Sequence, residues 1–272
     1  MSSSKAFLDT TILAEVLLKP GARRATAQAA IKRFTESQTP GYAIKEFKWG
    51  PFSHYCWLHN KFVTEKVFSN VIAAIHSIYR QRGLQGTALE ALGIVAKSIG
   101  SRTIADLEAQ YGPMAKEDEL RADVFRLALK AIILKAWKRR RAVADVVEPL
   151  TCYAEIPPNE ARGGLIDAHP FDCTLEDSCC MGPRFRSRPN EVEALKNAME
   201  KIRDAKAENR RRYQALRSLY RTPKRPLTRE HCRNLGDAVF AFFAPAEATI
   251  LTTNVKDHEP LASALGKRVE SP

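Results

Sequence analysis

The sequence predicts an α/β domain with a parallel sheet, interrupted by a long, mostly helical insertion. Short β-type runs alternate with helical periodicity at both ends of the chain, while the middle carries helical periodicity alone. Residues 1–60 and 226–272 are therefore expected to form one discontinuous domain, with residues 61–225 inserted between its halves.

The elements follow in order. In FLDTTIL, Phe7 and Leu8 read as a buried strand, and Ile12, Leu13, Val16 and Leu17 recur at helical spacing. Asp9, Thr10 and Thr11 stand at the switch, where side-chain oxygens suit a helix start. A second helix is bracketed by Pro20-Gly21 and Pro40-Gly41, after which Tyr42-Ala43-Ile44 reads as a short strand running into KEFKW. Residues 62–148 read as wholly helical: Val63, Val67, Val71 and Ile75 form one stripe, and Leu120, Val124, Leu127 and Ile132 another. Gly83, Gly86, Gly100 and Gly112-Pro113 divide this span, which ends in the basic cluster KAWKRRR.

Residues 149–190, rich in Pro and Gly, read as a long loop holding Cys152, Cys173, Cys179 and Cys180, with His169 nearby. Their spacing lacks the paired two-residue gaps of common structural zinc sites, so reduced loop cysteines are expected. A polar, basic helix over 190–220 and the breaker run TPKRP come next. RNLGDAVFAFFA reads as one helix, followed by strand ATILTT, turn NVKD, helix HEPLASALG and a final strand KRV.

Charge is the first clue to partners. Lys and Arg outnumber Asp and Glu by 43 to 31, a net +12, which draws polyanions such as nucleic acid. No uninterrupted apolar run approaches the ~18 residues of a membrane span, so no membrane partner is expected. With no basic segment ahead of an apolar signal core and only six cysteines, a reducing cytoplasm is the expected location.

Four acids stand where chemistry could gather. Asp9 and Asp257 each follow a short β-type run ending in hydroxyl residues, and open parallel sheets collect functional groups at strand carboxyl ends. Taken singly, each reads as a helix cap. Asp237 lies in a helix apolar on nearly every side, so its carboxylate must find a cation or hydrogen-bond donors. Glu46, between Ile44 and Phe47, follows the strand read at 42–44. Clustered carboxylates repel unless a metal intervenes, and oxygen-only ligands favour Mg²⁺ or Mn²⁺. Such a site can activate water and hydrolyse a phosphodiester. On that reading, replacing Asp237 by Asn should leave the metal-free protein at least as stable.

FLDTTIL, IKEF, GDAVFAFFA and ILTTNVKDHEPLASALGKRV together resemble a PIN-domain ribonuclease of the VapC-like kind, over roughly residues 5–60 and 228–270. The resemblance implies a three-layer α/β/α sandwich with a central parallel sheet, and a metal-dependent endoribonuclease. It carries catalytic and metal-binding roles onto Asp9, Glu46, Asp237 and Asp257, with Thr10, Thr11, Thr252 and Asn254 in support. The family often reads Asp-Thr-Asn where this chain has Asp9-Thr10-Thr11, and its compact toxins lack an insertion of this size. The insertion is expected to grip structured RNA such as transfer RNA. Arg210, Arg211, Tyr213, Arg217 and Arg221 could hold phosphates and stack on unpaired bases, against the alternative of a solvated helix. A PIN-like scaffold that binds nucleic acid or protein without cutting is the rival reading, and a DNA nuclease a third. An inhibitory or regulatory protein partner and a homo-oligomer stay open.

Overall fold

The computed structural model describes residues 4–78, 82–99, 117–150, 157–168, 180–221 and 227–272. Its centre is β1 (Lys5–Leu8), a strand whose KAFL sequence is apolar beyond its first residue because the sheet is covered on both faces. β1 pairs in parallel with β2 (Glu36–Pro40) on one side. On the other side it pairs with the chain's sixth strand, Ala248–Leu251. A third strand, β3 (Asp145–Val147), extends the sheet beyond β2. A two-residue antiparallel hairpin, β4 (Asn159–Glu160) with β5 (Ile166–Asp167), stands apart. The main sheet is completed by β6 (Ala248–Leu251) and β7 (Arg268–Glu270), in the order β3-β2-β1-β6-β7 and parallel throughout. Helices flank it, an arrangement compatible with the expected three-layer sandwich.

The helices follow from short-range signals. Asp9 caps α1 (Thr10–Leu18) by accepting a hydrogen bond from the Thr10 amide. α2 (Ala22–Ile31) leads to β2, and α3 (Gly41–Phe47) starts directly on the Pro40-Gly41 pair. A Cβ at Gly41 would stand 3.0 Å from the Glu148 carbonyl oxygen, so glycine permits that close approach. Pro51 lies in a π-helical turn, Lys48–Phe52, that joins α3 to α4 (Ser53–Glu65). The wider turn is the usual way a helix absorbs a residue without an amide hydrogen. α5 (Phe68–Ser77), α6 (Arg82–Ile99) and the long α7 (Glu117–Arg139) pack against α4, with Phe62 and Phe125 ring centroids 5.8 Å apart. Next come α8 (Met181–Arg186), α9 (Pro189–Ile202) and α10 (Ala207–Arg221). The closing set is α11 (Arg229–Leu235), α12 (Asp237–Phe243) and α13 (Val255–Ala264).

Several expectations are corrected. Tyr42-Ala43-Ile44 is helical, and the strand is the polar ESQTP just before it, held by pairing to β1 and β3 rather than by apolar alternation. The span read as wholly helical supplies β3, so the central sheet takes a strand from the expected insertion. The basic helix over 190–220 is two helices, α9 and α10. RNLGDAVFAFFA is also two, broken at Gly236, whose φ of 40° and ψ of −114° end α11 and start α12. Lys267 reaches back to the end of α12, donating to the carbonyls of Ala241 at 2.6 Å and Ala244 at 2.5 Å. Burial lowers its pKa to about 8. Among the described residues no helix is long and apolar enough to cross a membrane. Gly100 and Gly112-Pro113 lie outside those residues, as do 151–156 and 169–179 of the cysteine-bearing span, with Cys152, Cys173 and Cys179.

The inserted span shares the core. Phe185 of α8 stacks on Phe242 of α12 with centroids 4.3 Å apart, and both rings are fully buried. Phe185→Ala should therefore lower stability in urea denaturation by about 3–5 kcal/mol, the range for a large buried ring. A loss under 1 kcal/mol would mean that the inserted helices are not part of one cooperative core.

Candidate active site

The sheet order reverses at β1: the chain moves outward through β2 and β3, then returns to pair β6 on β1's other edge. Such a switch point opens a crevice at the strands' carboxyl ends. Here the crevice is a cleft of about 450 Å³ whose lining includes Asp9, Glu46 and Asp237.

Asp9 ends β1 and is 3% exposed. Its Oδ1 accepts from the Thr10 amide at 2.6 Å; its Oδ2 accepts from the hydroxyls of Thr11 and Thr252, both at 2.7 Å. His258 Nε2 stands 3.5 Å from the same Oδ2. Burial pushes the Asp9 pKa up, but the hydrogen bond and charge of His258, with the two threonine hydroxyls, outweigh it and hold Asp9 below its ordinary value. The Thr11 hydroxyl also accepts from the Thr253 amide at 3.1 Å. That hydroxyl ties the β1 turn to the β6 turn. The Thr252 hydroxyl accepts from the Asn254 amide at 3.0 Å, while the Asn254 side chain donates to Asp257 at 2.7 Å.

Glu46 comes from α3, and its Oε2 accepts from the Thr10 hydroxyl at 2.5 Å. Burial raises its pKa to about 7, with the Asp9 charge adding to the shift. Asp237 opens α12 and meets two basic side chains: Arg212 Nη2 at 2.5 Å and His258 Nε2 at 3.4 Å. Burial still raises its pKa, overcoming the pull of His258 and Arg212. His258 is 1% exposed; burial lowers its pKa, but the Asp9 hydrogen bond and the charges of Asp9 and Asp237 leave it raised.

Asp257 is a correction. It does not line the cleft; its carboxylate accepts from Lys206 at 2.8 Å and from the Asn254 side chain at 2.7 Å. These bonds, the Lys206 one foremost, lower its pKa. The reason is helical phase: neighbours on α13 diverge by about 100°, so one of Asp257 and His258 must turn away. His258 is the residue that turns in.

Two participants escaped the sequence reading. His258 was legible as the first of the buried set His258, Leu261 and Ala262. Arg212 was legible by extending the buried face of Ala215, Leu216 and Leu219 back one turn. The residues expected to hold RNA have local partners instead: Arg210 pairs with Asp204 at 3.3 Å and Arg211 with Glu208 at 3.1 Å. The Tyr213 hydroxyl donates to Glu200 at 3.2 Å and Tyr220 to the Pro189 carbonyl at 2.7 Å. Arg217 is exposed, and the Arg221 side chain lies outside the described residues. Of the loop cysteines only Cys180 is described, partly buried just ahead of α8.

Among the described residues no three His, Cys, Asp or Glu side chains stand in a metal-ligating arrangement. Asp237 is engaged by Arg212, His258 lies between Asp237 and Asp9, and Glu46 accepts from the Thr10 hydroxyl. No family model, curated protein or solved structure matches this chain.

Arg212 and His258 reverse the expectation for Asp237. Without metal, Asp237→Asn removes the carboxylate bonded to the buried Arg212 guanidinium, and chelated thermal melts should show a loss of about 3 kcal/mol. An unchanged or higher midpoint would mean that repulsion among the acids dominates. A second outcome concerns pH. Glu46 titrates near 7 when folded and 4.5 when unfolded, so its contribution is full below about 4.5 and is lost as pH rises through 7. In chelator, wild type should lose about 3 kcal/mol relative to Glu46→Gln between pH 4.5 and pH 8. Parallel curves for the two proteins would show that Glu46 carries no such shift.

Proposed function

We propose that this chain is a metal-dependent endoribonuclease with a PIN-like catalytic fold, cutting RNA phosphodiester bonds at Asp9, Glu46 and Asp237. The observation carrying the reading is the convergence of these acids, distant in sequence, at the carboxyl ends of the central parallel strands of a chain with net charge +12. The parallel sheet with a topological reversal at β1 supports the sandwich that the sequence resemblance implies.

The donor set suits Mg²⁺ or Mn²⁺: carboxylate oxygens in a partly enclosed cleft, with Glu46 raised in pKa by its burial and by the Asp9 charge. Asp9, Glu46 and Asp237 would hold the ion, which when bound supplies a nucleophile from water at neutral pH and neutralises phosphate charge. Thr11 and Thr252 fix the Asp9 carboxylate, and Thr10 fixes both Asp9 and Glu46. Lys45 and Arg233 also line the cleft and supply positive charge for phosphates beside the scissile bond.

A second reading, a PIN-like scaffold that binds without cutting, is favoured by Arg212 and His258, which already neutralise much of the acidic charge. Incubation with total cellular RNA and Mn²⁺, followed by mapping of new 5′ ends, separates the two. Asp9→Asn and Asp237→Asn should each reduce cleavage at least ~10²-fold. Asp257→Asn should stay within about tenfold of wild type, because its carboxylate serves Lys206 outside the cleft. No metal-dependent ends from wild type would leave the scaffold reading standing.

The exposed face of α10 is the proposed RNA grip, and transfer RNA the proposed class of substrate. Neutralising Arg210, Arg211 and Arg217 together should weaken RNA binding and flatten the slope of log K against log salt by about 2. An unchanged slope would return α10 to a solvated helix.

A further inference from the structure

We infer that the aromatic wall of the cleft, led by Trp49, is a stacking site for one unpaired nucleobase of the RNA. The inference rests on the ribonuclease reading above and names what the substrate must offer beside its phosphate: a base free of a pairing partner. At about 450 Å³ the cleft matches the size of pockets that enclose small organic ligands. Besides the acids, Trp49, Gly50, Pro51 and His54 line it. Trp49 stands in the π-helical turn Lys48–Phe52, between Phe47 and Phe52, both of which are fully buried. The Trp49 ring is the aromatic that this turn leaves partly exposed. Wide turns of this kind recur at functional sites. A Cβ at Gly50 would meet nothing within 4 Å, so the next position along the turn is open.

The neighbours of the ring suit a nucleotide. The exposed Arg233 guanidinium lies 5.6 Å from the Trp49 ring centroid, where it steadies the ring and offers charge to a phosphate. His54 adds a second ring, neutral near pH 7 because burial lowers its pKa, with Nδ1 3.1 Å from the Thr87 hydroxyl. Tyr42 lines the same cleft and is 5% exposed, yet its hydroxyl has no hydrogen-bond partner among the described residues. Burial, then the Glu46 charge, holds the Tyr42 pKa well above its ordinary value, so the hydroxyl keeps its proton and can donate to a base edge. Trp49, Arg233 and the acids share one cleft, so a stacked nucleotide brings its adjoining phosphate into the same enclosure. A base inside a duplex has both faces covered and cannot reach the ring. The cleft therefore selects loops and single strands, and tolerates any base because each has a π-face.

The test measures binding of a short, unstructured RNA oligonucleotide in chelator, where the RNA stays intact and no metal contributes. Trp49→Ala should weaken binding about tenfold, and Trp49→Phe, which keeps a ring, by less than about threefold. The same sequence annealed as a duplex should bind wild type and Trp49→Ala alike. Circular dichroism checks that Trp49→Ala folds. Should it not, photocrosslinking of wild type to the oligonucleotide carrying one iodouridine decides, with Trp49 the expected attachment in peptide mass spectra. Unchanged binding by folded Trp49→Ala, an equal loss on the duplex, or crosslinks confined to Tyr213 and Tyr220 of α10 overturn the inference and leave the ribonuclease reading intact. Should wild type not bind the oligonucleotide at all, the inference falls, and mapping of Mn²⁺-dependent ends still decides the ribonuclease reading on its own.

Discussion

The structure turns on a carboxylate buried at the end of the central strand. Asp9 sits where β1 stops, and an ionised group there is tolerated only when its oxygens are met by donors. Those donors come from three places: the first turn of α1, the end of β6 and the inward face of α13. Satisfying one side chain therefore fixes how the two halves of the sheet meet, and Thr11 reinforces the join by accepting from the turn after β6. Asp9 is at once a helix cap and the floor of the cleft. The alternatives posed by its sequence context are not exclusive.

The three acids differ because their surroundings differ. Asp9 is rich in donors and stays ionised; Asp237 has two cations but is desolvated; Glu46 has one hydroxyl and a negative neighbour. That gradient places the unbalanced charge beside Glu46.

How much of this was legible depends on the range of the signal. β1, α1 and β6 were readable because apolar runs ending in Asp or Thr report a local strand-to-turn change. β2 was not, because ESQTP is made a strand by neighbours on both edges rather than by its own side chains. β3, three residues long, carries too little pattern to show against the helix before it. Within the site, Asp9, Glu46 and Asp237 could be placed from motif and burial. Asp257 could not, since choosing between adjacent residues needs the phase of α13 to within one position. The demand that Asp237 find a cation was readable, but its supplier, Arg212, lies in a triple-arginine run where only the buried stripe of α10 singles out one member.

Arg212 also changes what the inserted span is. A helix read as an appended RNA grip presents Arg210, Arg211 and Arg217 outward, yet it sends Arg212 inward to Asp237. The same helix sequence thus serves both surfaces, with Ala215, Leu216 and Leu219 holding the inward one in place. Lys206, just ahead of it, removes Asp257 from the acid set. Both changes act in one direction: cations from the insertion lower the negative charge that the closing motif alone would present. The charge balance of the cleft is therefore a property of the whole chain. β3 makes the same point for the sheet, and the Phe185–Phe242 stack makes it for the core. A compact unit cut from the two terminal segments would lack an edge strand, a core ring and the counter-charge of Asp237.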